Sequence, residues 1–105
     1  MALNRHNDKT FSGKRWELIN NKIVCYTPRV VHSFRIYQNY DDPDMIAADP
    51  LWHWEQSEMG KWVMKNSVIP PEWQRLKCHD TMAYQYNVIA YFKEQDLVFW
   101  TLKFR

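Results

Sequence analysis

The segment DPLWHWEQSEMGKWVMKNS, Asp49–Ser67, decides the fold class of this chain, because it predicts the main helix. An aspartate ahead of Pro50 is a typical helix start, since the acid caps the first turn and proline fits the first helical position. The adjacent Pro70 and Pro71 prevent the helix from continuing. We therefore predict a helix over about residues 50–66, with a short helical turn ahead of it in NYDDPDM.

Glu55 lies within the apolar stripe of this predicted helix, whereas Trp54 points elsewhere. At about 100° per residue the stripe consists of Leu51, Trp52, Met59, Trp62 and Val63. The carboxylate has three interpretations: a structural partner of an indole N–H or an arginine, a group that recognises a partner protein, and a general acid with a raised pKa. Catalysis requires a second group that the sequence does not place beside it, so structural pairing is favoured. Gly60 predicts that a sheet aromatic or another chain approaches the helix backbone closely.

The remainder of the chain carries strand patterns. KRWELI and KIVCY flank Asn20 and Asn21, which tolerate positive φ, and predict a tight hairpin that Pro28 ends. Further strands are predicted in RVVHSFRIY (29–37), EWQRLKC (72–78), AYQYNVIAYF (83–92) and LVFWTLKF (97–104). The sequence thus predicts an α+β fold, an antiparallel sheet of about five to six strands with one main helix packed on one face. The packed sets are Trp52, Met59, Trp62 and Val63 of the helix against Val88, Ala90, Trp100 and Leu102 of the strands.

Length and polarity define the domain organisation. A chain of 105 residues suits one core and is too short for two. Residues 1–13 are polar and without period, which predicts a mobile N-terminal arm, and residues 14–105 are predicted to form a single α+β domain.

Composition excludes several classes of chemistry. Two glycines cannot form a phosphate-binding glycine-rich loop, and no apolar run approaches the ~20 residues that span a bilayer. The histidines and two cysteines have no zinc-ligand spacing, and Cys78 and His79, adjacent in sequence, point in different directions. We therefore expect no catalytic residue, no metal, no small-molecule cofactor and no membrane partner.

Charge and aromatic residues leave nucleic acid as an alternative partner. Residues 1–40 carry a net charge of +5, and residues 41–70 carry −4. The stretches GKRW and EWQRLK interleave basic and aromatic residues, which can track phosphates and stack bases. Arg15, Trp16, Arg75 and Lys77 are the candidate residues. A denser basic footprint would be expected of a strong nucleic-acid binder.

From Asp42 onward the chain resembles a known group of proteins. The residues that carry the resemblance are the Trp-rich helix with EMGKWV at its end, then PPEW, then strands that close on FWTLKF. This pattern is similar to small uncharacterised proteins of tailed bacteriophages. The resemblance implies a phage-encoded protein in the host bacterial cytoplasm or in the virion, and it supplies no catalytic residues. The N-terminal sequence also lacks the apolar core of a signal peptide.

Excess aromatic surface predicts the function. One helix cannot cover both faces of a strand such as LVFWTLKF, so apolar surface remains for a partner. We expect a non-enzymatic protein that acts through protein–protein binding, by self-association or with a host or virion component. The alternative is a single-stranded nucleic-acid-binding protein. The candidate binding residues are Arg15, Trp16, Trp54, Glu55, Arg75 and Lys77.

Overall fold

The computed structural model describes residues 4–5, for their backbone alone, and residues 13–39, 41–78 and 82–104. The predicted mobile arm, residues 1–13, lies outside the described residues apart from Gly13 and the backbone of residues 4–5. In chain order the elements are β1 (Asn4–Arg5), β2 (Arg15–Ile19), β3 (Lys22–Tyr37), α1 (Pro43–Gln56), α2 (Glu58–Asn66), β4 (Glu72–Cys78), β5 (Ala83–Phe92) and α3 (Glu94–Phe104).

The strands form one sheet in the order β1-β4-β5-β3-β2. The pairs β4–β5, β5–β3 and β3–β2 are antiparallel, and the two residues of β1 run parallel to β4 at the outer edge. The α+β class and the antiparallel sheet are confirmed. The predicted five to six strands are not: the described antiparallel sheet has four, because KIVCY and RVVHSFRIY form the single strand β3 and the last predicted strand is a helix.

The first hairpin forms as predicted, but Pro28 does not end it. Asn20 and Asn21 adopt φ of 52° and 64°, the left-handed pair that a two-residue hairpin turn requires. β3 continues through Pro28, which lies opposite Tyr91 of β5. The backbone N–H of Tyr91 donates to Ser67 Oγ, and its C=O accepts from Val68 N–H, so this position of the ladder requires no donor from Pro28.

The predicted single helix over 50–66 is two helices broken at Ser57. Asp42 caps α1 through Oδ1, which accepts the Met45 N–H at 3.2 Å, so the helix begins before Pro50 and contains it. Ser57 adopts extended backbone angles. Its hydroxyl donates to the Trp54 carbonyl oxygen at 2.6 Å and accepts the Gly60 N–H at 3.0 Å, thereby closing α1 and capping α2.

The predicted strand over 97–104 is wrong, because these residues belong to α3. An apolar run of this length fits either the two-residue period of a strand or the 3.6-residue period of a helix. Leu97, Trp100 and Phe104 have the spacing of a helix face. All three pack in the main core. Glu94 and Asp96 lie in the first turn, where the helix dipole favours negative charge.

The core lies between the three described helices and one face of the sheet. Its buried members are Val31, Leu51, Trp54, Val63, Val88, Ala90, Phe92 and Trp100, with Trp62 and Met59 packed against them. Two predicted core residues are misplaced: Trp52 is 50% exposed and Leu102 is 80% exposed. Ser57 separates the phases of α1 and α2, so Trp54 instead of Trp52 faces the sheet.

The opposite face of the sheet has a second, smaller cluster. Tyr26, Ile89 and Tyr91 are buried there beneath Val68 and Ile69 of the segment between α2 and β4. The apolar side chains on both faces of β5 are therefore covered by other parts of the same chain.

Candidate functional site

The β2–β3 hairpin exposes large apolar side chains on one face. Trp16, Leu18 and Ile23 are 71%, 67% and 73% exposed. Trp16 and Leu18 alternate along β2, and Leu18 lies opposite Ile23, so all three share a face of the sheet. Beside them, Val98 of α3 is 52% exposed and lines a groove of about 790 Å³ together with Ile23. These four residues are called the hairpin surface below.

β2 is also an edge strand in the part of the chain that the structure describes. Ile19 and Lys22 close the two-residue turn and form its first hydrogen-bonded pair, so Glu17 and Arg15 also bond toward β3. The backbone N–H and C=O groups of Trp16 and Leu18 consequently point away from the sheet. The exposed apolar side chains and the outward backbone groups belong to the same two residues, as in strands that accept another strand.

A polar network fixes Glu17 on the other face of the hairpin. The Tyr26 hydroxyl donates to Glu17 Oε2 at 3.0 Å, and the Tyr26 ring meets the Tyr91 ring edge-on, with centroids 5.6 Å apart. The Tyr91 hydroxyl donates to the Glu72 carboxylate. Burial, and then the hydrogen bond to Glu72, raise the pKa of Tyr91; the positive charge of Arg15 opposes that rise. Both tyrosines are therefore hydrogen-bond donors at neutral pH.

Arg75 is an ion-pair partner within the fold. Its Nη1 lies 3.0 Å from Asp44 Oδ1, and its guanidinium lies 4.5 Å from the centre of the Tyr84 ring. The buried Tyr86 hydroxyl donates to the same Asp44 oxygen at 2.7 Å. Burial, and then the hydrogen bond to Asp44, raise the pKa of Tyr86. This cluster ties α1 to β4 and β5, whereas Lys77 on β4 is exposed.

Trp54 and Glu55 lie in the interior. Trp54 is 6% exposed and its ring stacks on His32, with centroids 5.9 Å apart. Among the described residues its indole Nε1 has no hydrogen-bond partner. Glu55 is 8% exposed and is partnered in the fold. Burial lowers the pKa of His32, so its ring favours the neutral form against the indole.

The structure therefore divides the six candidate binding residues among three places. Arg15 and Trp16 lie on the edge strand, and Trp54 and Glu55 are buried residues of α1. Arg75 and Lys77 are on β4, which β5 and β3 separate from β2. The sequence reasoning missed Leu18, Ile23 and Val98. The sequence does carry a signal for Leu18 and Ile23. They are the second residues on either side of the two-residue turn, and apolar residues at these positions lie opposite each other on one face.

The two cysteines are far apart. Cys25 belongs to β3 near the hairpin, and Cys78 pairs with Ala83, itself opposite Tyr37 at the other end of β3. Twelve strand residues between positions 25 and 37 correspond to about 40 Å. Both thiols are free.

In the described ranges no group of three or more His, Cys, Asp or Glu side chains has the arrangement of a metal site, and no described helix is long and apolar enough to cross a membrane. No family model, curated protein or solved structure matches the chain.

Proposed function

We propose that this chain is a non-enzymatic protein-binding protein whose binding site is the hairpin surface. The observation that supports the proposal is that three apolar side chains, each about two-thirds or more exposed, lie at the outer backbone edge of β2 in the described part of the sheet. Single exposed apolar residues are ordinary, but a contiguous group at a sheet edge is typical of an interaction site.

The energetics favour a bound state. Burying a Leu or Ile side chain is favourable by about 1.5–3 kcal/mol relative to leaving it exposed. Trp16 adds an aromatic ring of the kind enriched in binding hot spots. Backbone pairing along β2 would align the partner without requiring a deep pocket.

The resemblance to small proteins of tailed bacteriophages suggests where a partner is found. We propose that the protein is phage-encoded and acts in the host bacterial cytoplasm or in the virion. Its partner is then another copy of the chain or a host or virion protein.

A photo-crosslinking amino acid at position 18 tests the binding proposal. We expect crosslinks to protein from position 18 and none from position 82, because Met82 is at least as exposed as Leu18, at 78% against 67%, but lies away from the hairpin surface. A triple variant, Trp16→Ser, Leu18→Ser and Ile23→Ser, should abolish capture by a crosslinker placed at position 98. The double variant Met45→Ser, Met82→Ser should retain it. Equal crosslinking from positions 18 and 82 would contradict the proposal.

A second candidate function is binding of single-stranded nucleic acid. It is favoured by Lys14 and Arg15, which precede the exposed Trp16 in sequence, and by Lys22 and Lys93, which line the groove. Stacking of a base on Trp16 predicts quenching of tryptophan fluorescence by oligothymidylate, weakened by salt and reduced in Trp16→Phe. Unchanged fluorescence would exclude this use of Trp16.

A further inference from the structure

We propose that the occupant of the hairpin surface is a second copy of this chain, paired antiparallel along β2 with Trp16 on the two-fold axis. The inference rests on the proposed binding function and names its partner. It joins the two sheets edge to edge into one continuous sheet with eight antiparallel strands from the described part of the two chains.

The backbone pattern sets which registers are allowed. Trp16 and Leu18 direct their N–H and C=O groups outward, so they must pair with outward groups of the second copy. The same alternation, carried one residue beyond β2, gives Lys14 the same direction. With Trp16 opposite Trp16, Leu18 lies opposite Lys14 in both directions. All outward groups from 14 to 18 then have a partner.

Charge selects one register. Centred on Trp16, the pairing places Arg15 of each copy directly opposite Glu17 of the other, at non-hydrogen-bonded positions where side chains lie closest. A pairing centred on Glu17 would oppose the two Glu17 carboxylates, and one centred on Arg15 would oppose the two guanidinium groups. The sequence Arg15-Trp16-Glu17 is thus self-complementary in the antiparallel sense.

The side chains around the axis suit this contact. Glu17 is already oriented by Tyr26, whose hydroxyl uses Oε2 and leaves Oε1 to accept from an arginine of the other copy. On the other face, Trp16 and Leu18 of both copies become neighbours across the axis. Ile23 and Val98 extend this apolar contact on each side.

Charge-swapped variants test the proposal, with mass measured by size-exclusion chromatography and light scattering. We expect a dimer for the unmodified chain and monomers for Arg15→Glu and for Glu17→Arg. Mixing these two variants should restore a dimer that contains one copy of each, and the double variant should form a homodimer. Arg35→Glu, at an exposed position of β3 beyond the part that pairs with β2, is the matched control and should remain dimeric.

Hydrogen exchange by NMR supplies a readout that does not depend on Glu17→Arg folding. In the dimer the amides of Trp16 and Leu18 should be as protected as those of Arg15 and Glu17. In Arg15→Glu only the amides of Trp16 and Leu18 should lose protection. A monomer at all soluble concentrations, or mixed variants that stay monomeric while folded by circular dichroism, would overturn the inference. If crosslinking from position 18 still captures another protein, the binding function stands without self-pairing; if it captures nothing, both fail.

Discussion

At Gly60 the fold leaves no space for a side chain. A Cβ built there would lie 1.8 Å from the Trp54 carbonyl oxygen and 2.9 Å from the Glu55 Cα, both of them backbone atoms of α1. The close approach predicted from the sequence is real, but it comes from the preceding helix instead of a sheet aromatic or another chain. The tight turn at Ser57 therefore depends on a glycine three residues later.

Gly60→Ala is expected to lower the free energy of unfolding by about 1–3 kcal/mol, the range for overpacking, despite the higher helix propensity of alanine. Urea denaturation followed by circular dichroism measures the change. Lys61→Ala, at an exposed position of the same helix, should leave the free energy of unfolding within about 0.5 kcal/mol. Equal stability of the two variants would contradict the steric argument.

His32 is expected to make the fold less stable in mild acid. Burial lowers its pKa in the folded state below the 6.5 of the exposed side chain, so the unfolded chain binds the proton more readily. This contribution to stability is complete above pH 6.5 and is lost as the pH falls from there through the folded-state pKa. Denaturation at several pH values should show a smaller decrease in the free energy of unfolding for His32→Phe, which keeps a ring against Trp54. For His53→Gln, a variant at an exposed position, the free energy of unfolding should decrease with falling pH as much as it does for the parent.

Among the elements, the break between α1 and α2 shows how a single residue resets a helix. α1 buries Ala47, Leu51, Trp54 and Glu55. This helical spacing runs past Pro50 because the helix already begins after its Asp42 cap. A continuous helix over 50–66 would instead have directed Trp52 inward. Ser57 lets α2 begin anew, with Gly60 and Val63 on its buried side.

Ser57→Ala should destabilise the fold by about 1 kcal/mol, because the Gly60 N–H loses its cap and the Trp54 carbonyl loses a donor. Thermal or urea unfolding measures the loss, and Ser57→Asp should recover most of it because aspartate also caps well. If the alanine and aspartate variants are equally stable, the cap contributes nothing.

At the scale of the whole molecule, Trp62 joins three elements. Its ring lies 5.7 Å from Phe92 of β5, and 5.1 Å and 5.8 Å from Phe99 and Phe104 of α3, measured between centroids. This aromatic cluster therefore links α2 and β5 to α3.

Trp62→Ala is expected to lower the free energy of unfolding by about 3 kcal/mol, since it removes a large ring from a packed cluster. The matched control is Trp52→Ala, which the sequence also placed in the core but the structure leaves half exposed, and which should cost less than about 1 kcal/mol. Chemical denaturation of both variants measures the difference. Comparable losses would mean that Trp52 is as buried as Trp62.

The sequence by itself determined the α+β class, the Asn20-Asn21 turn, the helical segment between Asp42 and Ser67, and the strands EWQRLKC and AYQYNVIAYF. These follow from local rules: backbone preference in the turn, proline and capping residues, and alternation in the strands. The local pattern also predicts Arg15 and Trp16 as binding candidates.

Only the tertiary structure decided the rest. The segment LVFWTLKF fits both the strand and the helix period. Its helical state goes with the packing of Trp100 against Phe92 of β5, a contact to a second element that the segment itself does not contain. Whether β3 passes through Pro28 depended on a neighbouring segment that takes up the Tyr91 backbone groups. The choice of Trp54 over Trp52 for the core, and the position of β2 at the edge of the described sheet, likewise follow from helix packing and strand order, because burial is a property of neighbours that a single segment does not contain.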